Sequence, residues 1–204
     1  IPKTEVLADV GCDHGLVAFG ALKSGKVKRV IISDISEKCL NKAVALLKPF
    51  SGAVQAVVSD GFKGYSEAPS VAVIAGMGGE EIIKILSVSP FIVETLILLP
   101  HKNQNKVRAF LSGNGYKAEK DYTFKDGKKF YDIMLFTRGK GEYSELEIKY
   151  GKGNLKTRPA DFIEKLRAEA AKKRAILSST ASESLLSEVN REIIELEEII
   201  NGSM

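Results

Sequence analysis

Five short apolar runs, all closing on turn-forming or polar residues, limit what this chain can form. They lie near Val6–Val10, Val27–Asp34, Ala53–Ser59, Val71–Ala75 and Thr95–Leu99. Segments such as Val30-Ile31-Ile32 and Leu96-Ile97-Leu98-Leu99 are unbroken rather than alternating. A strand of that kind has both faces covered, which is the situation of a parallel sheet between layers of helices. Helical patterns fill the gaps at Leu16–Ser24, Glu37–Leu47, Glu80–Leu86 and Gln104–Asn114, with Ser36 placed to cap the second. The alternation predicts a doubly wound α/β sheet up to about residue 115.

The rhythm then changes. Tyr116–Phe124 and Lys129–Thr137 flank Lys125-Asp126-Gly127-Lys128, and Asp-Gly is a strong hairpin turn signal. Five parallel strands closed by an antiparallel hairpin is the order of the Rossmann-like class I methyltransferase sheet. Residues 1–139 are therefore expected to form one domain and the glycine-dotted stretch 140–158 a linker. A helical hairpin or coiled coil is expected over 159–204. Its helices are predicted at Ala160–Leu177 and Ser182–Ile200, joined by Ser178-Ser179-Thr180-Ala181. Leu186, Val189, Ile193, Leu196 and Ile200 step by three and four, and Ile163, Leu166, Ala170 and Leu177 offer a matching seam, with Lys173 in the gap. Seven basic residues against three acids lie between Lys156 and Leu177, whereas six glutamates face Arg191 beyond Ser182, so the helices attract.

Composition narrows the class. No apolar run approaches the roughly 20 residues of a membrane span. Ile1-Pro2-Lys3-Thr4-Glu5 does not read as a signal peptide, and the absence of an initiator methionine leaves room for residues upstream. Cys12 and Cys39, with no CxxC and no histidine cluster, predict neither a disulfide nor a metal site, and read as small buried fillers in a cytoplasmic protein. The net charge of +4 permits a polyanionic partner without requiring one. The excess is uneven: 19 basic against 14 acidic residues over 1–139, and 11 against 12 beyond.

The loops after the strands carry the candidate chemistry. Asp9-Val10-Gly11-Cys12-Asp13-His14-Gly15 is a strand-to-helix turn whose glycines allow close approach of a ligand. Its carboxylates would repel a pyrophosphate and suit a cationic ligand, so Asp9, Gly11, Asp13 and Gly15 are assigned to an adenosine-bearing, positively charged cofactor. The alternative is an ordinary tight turn. Asp34, with Ile35 after it, ends the second strand where a carboxylate can accept from both ribose hydroxyls, or can serve as a helix cap. Asp60-Gly61-Phe62 follows the third strand. There Asp60 would accept from an adenine amino group with Phe62 on the ring, unless this is a turn with a core Phe. Ala75-Gly76-Met77-Gly78-Gly79 follows the fourth strand and Pro100-His101-Lys102-Asn103 the fifth.

These blocks, above all Ile74-Ala75-Gly76-Met77-Gly78-Gly79 after the Asp-Gly turn, resemble the bacterial TrmK family across nearly the whole chain. The resemblance implies an S-adenosylmethionine-dependent tRNA methyltransferase acting at N1 of adenine-22. Ala75 and Gly76 then complete the cofactor site, and Asp13, His14, Gly76, Met77 and Asn103 face the acceptor. Adenine N1 has a free lone pair at neutral pH, so alignment rather than a strong base is the requirement. The base must also leave its stack. Lys102, Lys106, Arg108, Lys128, Lys129, Lys152, Lys156 and Arg158 are candidate tRNA contacts, each also readable as solvated surface. The chain is expected to be a monomer or weak homodimer. Rival readings are a nicotinamide dehydrogenase, disfavoured by the turn's carboxylates and glycine spacing; a methyltransferase on another substrate; and a non-catalytic interaction module of the same fold.

Overall fold

The computed structural model describes residues 1–177 and 183–203. Seven strands among them build one sheet: β1 (Thr4–Val10), β2 (Val27–Asp34), β3 (Val54–Val58), β4 (Val71–Met77), β5 (Thr95–Pro100), β6 (Tyr116–Asp126) and β7 (Lys129–Arg138). Their spatial order is β3-β2-β1-β4-β5-β7-β6. Pairing is parallel through β5 and antiparallel for β7 and β6. The expected methyltransferase sheet is thus the one observed, with a two-residue loop, Gly127-Lys128, closing the hairpin.

Alternation along β1 shows why the apolar runs are unbroken. Val6, Ala8 and Val10 join one buried cluster with Ile74, Ile82 and Val107, while Leu7 joins the opposite one with Ile32, Ala18 and Leu40. Each fully buried Leu or Ile contributes roughly 1.5–3 kcal/mol, so every strand position counts on one face or the other. The covering helices are α1 (Leu16–Lys23), α2 (Glu37–Leu46), α3 (Gly79–Ser87) and α4 (Gln104–Gly113). Ser36 caps α2, its side chain accepting from the Cys39 amide.

The stretch 140–158, expected as a linker, carries two short helices. They are α5 (Glu145–Tyr150), opened by a Ser144/Glu147 capping box, and α6 (Lys152–Thr157). Asn154, fully buried, accepts the Thr123 amide at 2.7 Å and donates to Thr123 Oγ1 at 3.0 Å, stitching α6 to β6. The glycines that suggested flexibility serve close approach. A Cβ on Gly151 would sit 2.9 Å from Asp121 Oδ1 and 3.0 Å from Arg108 Nη2, and one on Gly153 would collide with the Asp121 backbone.

Next come α7 (Ala160–Leu177) and α8 (Glu183–Asn201), which run antiparallel. Leu166, Ala170, Val189, Ile193 and Leu196 are buried as the seam requires, joined by Phe162 and Ile199, which the three-and-four stepping had left out. Lys173 fills its gap by donating to Glu192 at 2.6 Å. The expected junction Ser178–Ala181 and the start at Ser182 lie outside the described residues.

Candidate active site

Parallel strands all end on one edge of the sheet. The chain leaves β3 to start β4 on the far side of β1, so the loops after β1 and β4 diverge and open a crevice between them. A cavity of about 410 Å³ occupies that crevice.

The β1 loop is shaped by its own backbone. Gly11, Asp13 and Gly15 all adopt left-handed angles (φ of 71°, 43° and 72°). Glycine takes that conformation freely, while for Asp13 it is a strained one that the surroundings must hold. They do so with hydrogen bonds. Gly11 and Cys12 donate to Ser33 O at 2.8 and 3.0 Å, and Asp13 N donates to Asp34 Oδ2 at 3.1 Å. The other oxygen of Asp34 accepts from Ser36 N at 2.8 Å. Asp34 is therefore both the fastener of the turn and a half-buried carboxylate on the cavity wall, with lone pairs to spare for a diol.

Gly11, Asp13, Asp34, Ile35, Asp60, Gly61, Ala75 and Gly76 all line this one cavity, together with Met77 from the acceptor group. Asp60 is exposed and paired with Lys63 at 2.7 Å, whose ammonium holds its carboxyl below the ordinary range. Three of the residues assigned to the cofactor stand elsewhere. Phe62 is 1% exposed and packs edge-on against Tyr65 in the core, so it is a wall behind the cavity and not a stacking surface. Gly15 caps α1, and its bare α-carbon is needed because a Cβ would come within 2.8 Å of Ala43. Asp9 is buried beneath the turn, accepting the Ala18 amide at 3.0 Å and fastening the start of α1. Burial pushes its carboxyl up to about 7.

Cys39, Ser59, Glu81 and Ile85 also line the cavity, and sequence reasoning did not select them. Cys39, taken as a buried filler, is half-buried there. Glu81 is exposed in the first turn of α3 and makes no ion pair among the described residues. Its position two residues beyond Gly79, behind Glu80 in the first turn of α3, was the available signal.

On the acceptor side the loops after β4 and β5 are laced together. His101 N donates to Met77 O at 3.0 Å and Gly79 N to Lys102 O at 2.9 Å. Only glycine fits at 79, since a Cβ would lie 2.7 Å from the carbonyl oxygens of both Lys102 and Asn103. Gly76 (φ 82°) sits at the bulge where β4 leaves β5. Asn103 is left-handed (φ 59°) at the start of α4, and its amide makes no hydrogen bond among the described residues. His14 is exposed, with Nε2 3.6 Å from Asp13.

The basic candidates divide. Arg108 is no surface contact: it is 1% exposed, bidentate to Asp121 at 2.8 and 2.9 Å, and bonded to Asp132 at 2.9 Å. Lys102 is exposed beside Gly78, and Lys106 pairs with Glu80 at 2.5 Å. Lys128 and Lys129 stand at the hairpin tip, on a second and larger cleft. Lys152, Lys156 and Arg158 gather instead at a hollow against the end of α8, where Arg158 donates to Ile200 O at 2.7 Å. No helix among the described residues is long and apolar enough to cross a membrane.

A family model described as a methyltransferase domain matches residues 1–134. The Mycoplasma genitalium protein MG248, to which a tRNA methyltransferase activity is ascribed, is 29% identical over 137 residues, 66% of this chain. The match spans 62% of that relative's length. Streptococcus pneumoniae Sp1610, to which tRNA m1A22 methylation is ascribed, superposes with a TM-score of 0.92 at 24% identity, covering 98% of this chain and 94% of that one. M. capricolum TrmK in complex with S-adenosyl-homocysteine superposes at 0.89 and 20% identity, covering 98% and 93%. At these identities the structural likeness establishes the fold, including its helical tail.

Proposed function

The chain belongs to the methyltransferase-domain family, and from that premise we propose that it transfers a methyl group from S-adenosylmethionine to N1 of an adenine in tRNA, adenine-22. The observation that carries this is the charge of the rim cavity, where Asp13, Asp34, Asp60 and Glu81 converge on a bare glycine turn. An anionic lining rejects a pyrophosphate and suits a ligand bearing an ammonium and a sulfonium. The volume is that of a small-molecule site.

When bound, the cofactor supplies the methyl group and takes the leaving electron pair. The protein's part is positional. Asp34 holds the ribose with the lone pairs left over from the Asp13 and Ser36 amides. Asp60 meets the adenine amino group, and Gly11 lets the chain pass without a side chain in the way. The laced loops 76–79 and 100–103 shape the acceptor pocket, with the Asn103 amide, which makes no hydrogen bond among the described residues, available to the incoming base. No side chain has to remove a proton, because N1 already presents its lone pair. Exposed lysines at Lys102, Lys106, Lys128 and Lys129 face the polyanion, with Lys156 and Arg158 on a separate surface. Such an enzyme works as a monomer or weak homodimer in the cytoplasm, where tRNA is.

Calorimetric titration with S-adenosylmethionine, with NADH as control, is the first test. Unmodified tRNA is then incubated with both, digested and analysed by mass spectrometry. The expected result is cofactor binding, N1-methyladenine that disappears when adenine-22 is replaced by guanine, and binding reduced tenfold or more in Asp34→Ala. Binding of NADH alone, or methylation at another atom, refutes the proposal.

A further inference from the structure

A second cleft is larger than the cofactor cavity. It lies between the β6–β7 hairpin and α7, encloses about 820 Å³, and is lined by His101, Lys128, Lys129, Tyr131, Lys165 and Lys172, with Glu169 the one acid among the described lining residues. Lys165 is committed, donating to Asp132 at 2.7 Å and so joining the buried Arg108 network. Lys128, Lys129 and Lys172 are exposed and make no ion pair among the described residues. Three free ammonium groups and a single carboxylate on a concave surface call for a polyanion.

Aromatic rings run through the same wall. Tyr131 stacks on its cross-strand partner Phe124, ring centres 5.5 Å apart and planes 23° from parallel. His101 lies 6.3 Å from Tyr131 on the cleft. A cross-strand pair needs no histidine and no basic rim, whereas single-stranded nucleic acid is held by this combination of backbone charge and ring faces. The cleft is also tied to the reaction centre. His101 N bonds Met77 O at 3.0 Å, and Met77 lines the cofactor cavity, so one strap forms a wall of both spaces.

We propose that this cleft binds the single-stranded RNA next to the methylated adenine, with a neighbouring base stacked at Tyr131 and His101 and its phosphates at Lys128, Lys129 and Lys172. The assignment rests on the function proposed above. An adenine turned out of its stack leaves its neighbours unstacked, and a fixed ring beside the strap replaces the lost partner while holding the strand in register with the acceptor pocket.

The test uses the full chain and unmodified tRNA carrying 2-aminopurine beside the target adenine, with affinity measured across a salt series. Tyr131→Leu should weaken tRNA binding about tenfold with the salt slope unchanged and abolish quenching of the 2-aminopurine. Tyr131→Trp should restore both. Lys128→Ala with Lys129→Ala should flatten the log–log salt slope by about 1 to 2 while stacking persists. S-adenosylmethionine affinity should stay the same throughout. The inference is overturned if folded Tyr131→Leu binds and quenches like the wild type, or if the double lysine variant keeps the full slope. The two proposals fail separately. Wild-type protein that binds and quenches without forming N1-methyladenine refutes the reaction and leaves the cleft standing. Wild-type methylation with indifferent cleft variants refutes the cleft alone.

Discussion

Asp9 offers the sharpest test of the physical reasoning. It lies at 4% exposure beneath the first turn, and its one backbone hydrogen bond, from Ala18, does not offset the loss of water. Its carboxyl is raised from 3.8 to about 7. The unfolded chain therefore releases this proton near pH 3.8, while the native chain holds it until near 7. Between those values the unfolded state binds fewer protons, so stability falls as pH rises, and the whole penalty is present above about 7. At about 1.4 kcal/mol per pKa unit the shift corresponds to an upper bound of roughly 4 kcal/mol, and relaxation and water penetration bring the expectation to about 2–4 kcal/mol. Asp9→Asn keeps an oxygen for the Ala18 amide and cannot ionise. It should be more stable than wild type by that amount at about pH 8, with the advantage vanishing near pH 4. Urea unfolding of both proteins at about pH 4.5, 6 and 8 measures the difference directly. Asp9→Asn that is no more stable at pH 8, or an advantage independent of pH, refutes the argument. The variant also removes negative charge from behind the Gly11 turn, so its S-adenosylmethionine affinity should fall, though less than in Asp34→Ala, where a cavity-lining group is lost.

Two further substitutions probe the acceptor side and the tail. Gly79→Ala drives a Cβ against the Lys102 and Asn103 carbonyls, so the lacing of the two loops must open; a loss of about 1–3 kcal/mol and failure of methyl transfer with cofactor binding retained are expected, read by denaturation and single-turnover assay. Arg108→Met leaves Asp121 and Asp132 buried without their common partner, which should destabilise by about 3–5 kcal/mol. Any protein still folded should show the wild-type salt dependence of tRNA binding; a flattened slope would return Arg108 to the surface.

Strand positions, the parallel run of five, the closing hairpin and the loops that meet at the rim cavity were legible from residues alone. Each rests on a local signal: an unbroken apolar run, a glycine where the backbone turns left-handed, a carboxylate at a strand end. Parallel pairing then brings every strand end to one edge, so Gly11, Asp34, Asp60 and Gly76 meet without further information. What the sequence left open was which atoms are buried. Arg108 reads as one more lysine-rich surface position beside Lys106, yet it stands three residues before Leu111 on the inner face of α4. Asp132 likewise alternates inward with Met134 and Phe136. Both clues are readable, but a buried charge is tolerable only where its counter-charges are, and Asp121 and Asp132 reach Arg108 only once the hairpin folds over α4. The same holds for Gly151 and Gly153, which looked like slack chain and turned out to be space for Asp121, and for the cleft at Tyr131, whose walls come from three separate elements. Local conformational preference is written in neighbouring residues; desolvation and steric exclusion depend on partners brought from elsewhere in the chain, and only the tertiary structure supplies them.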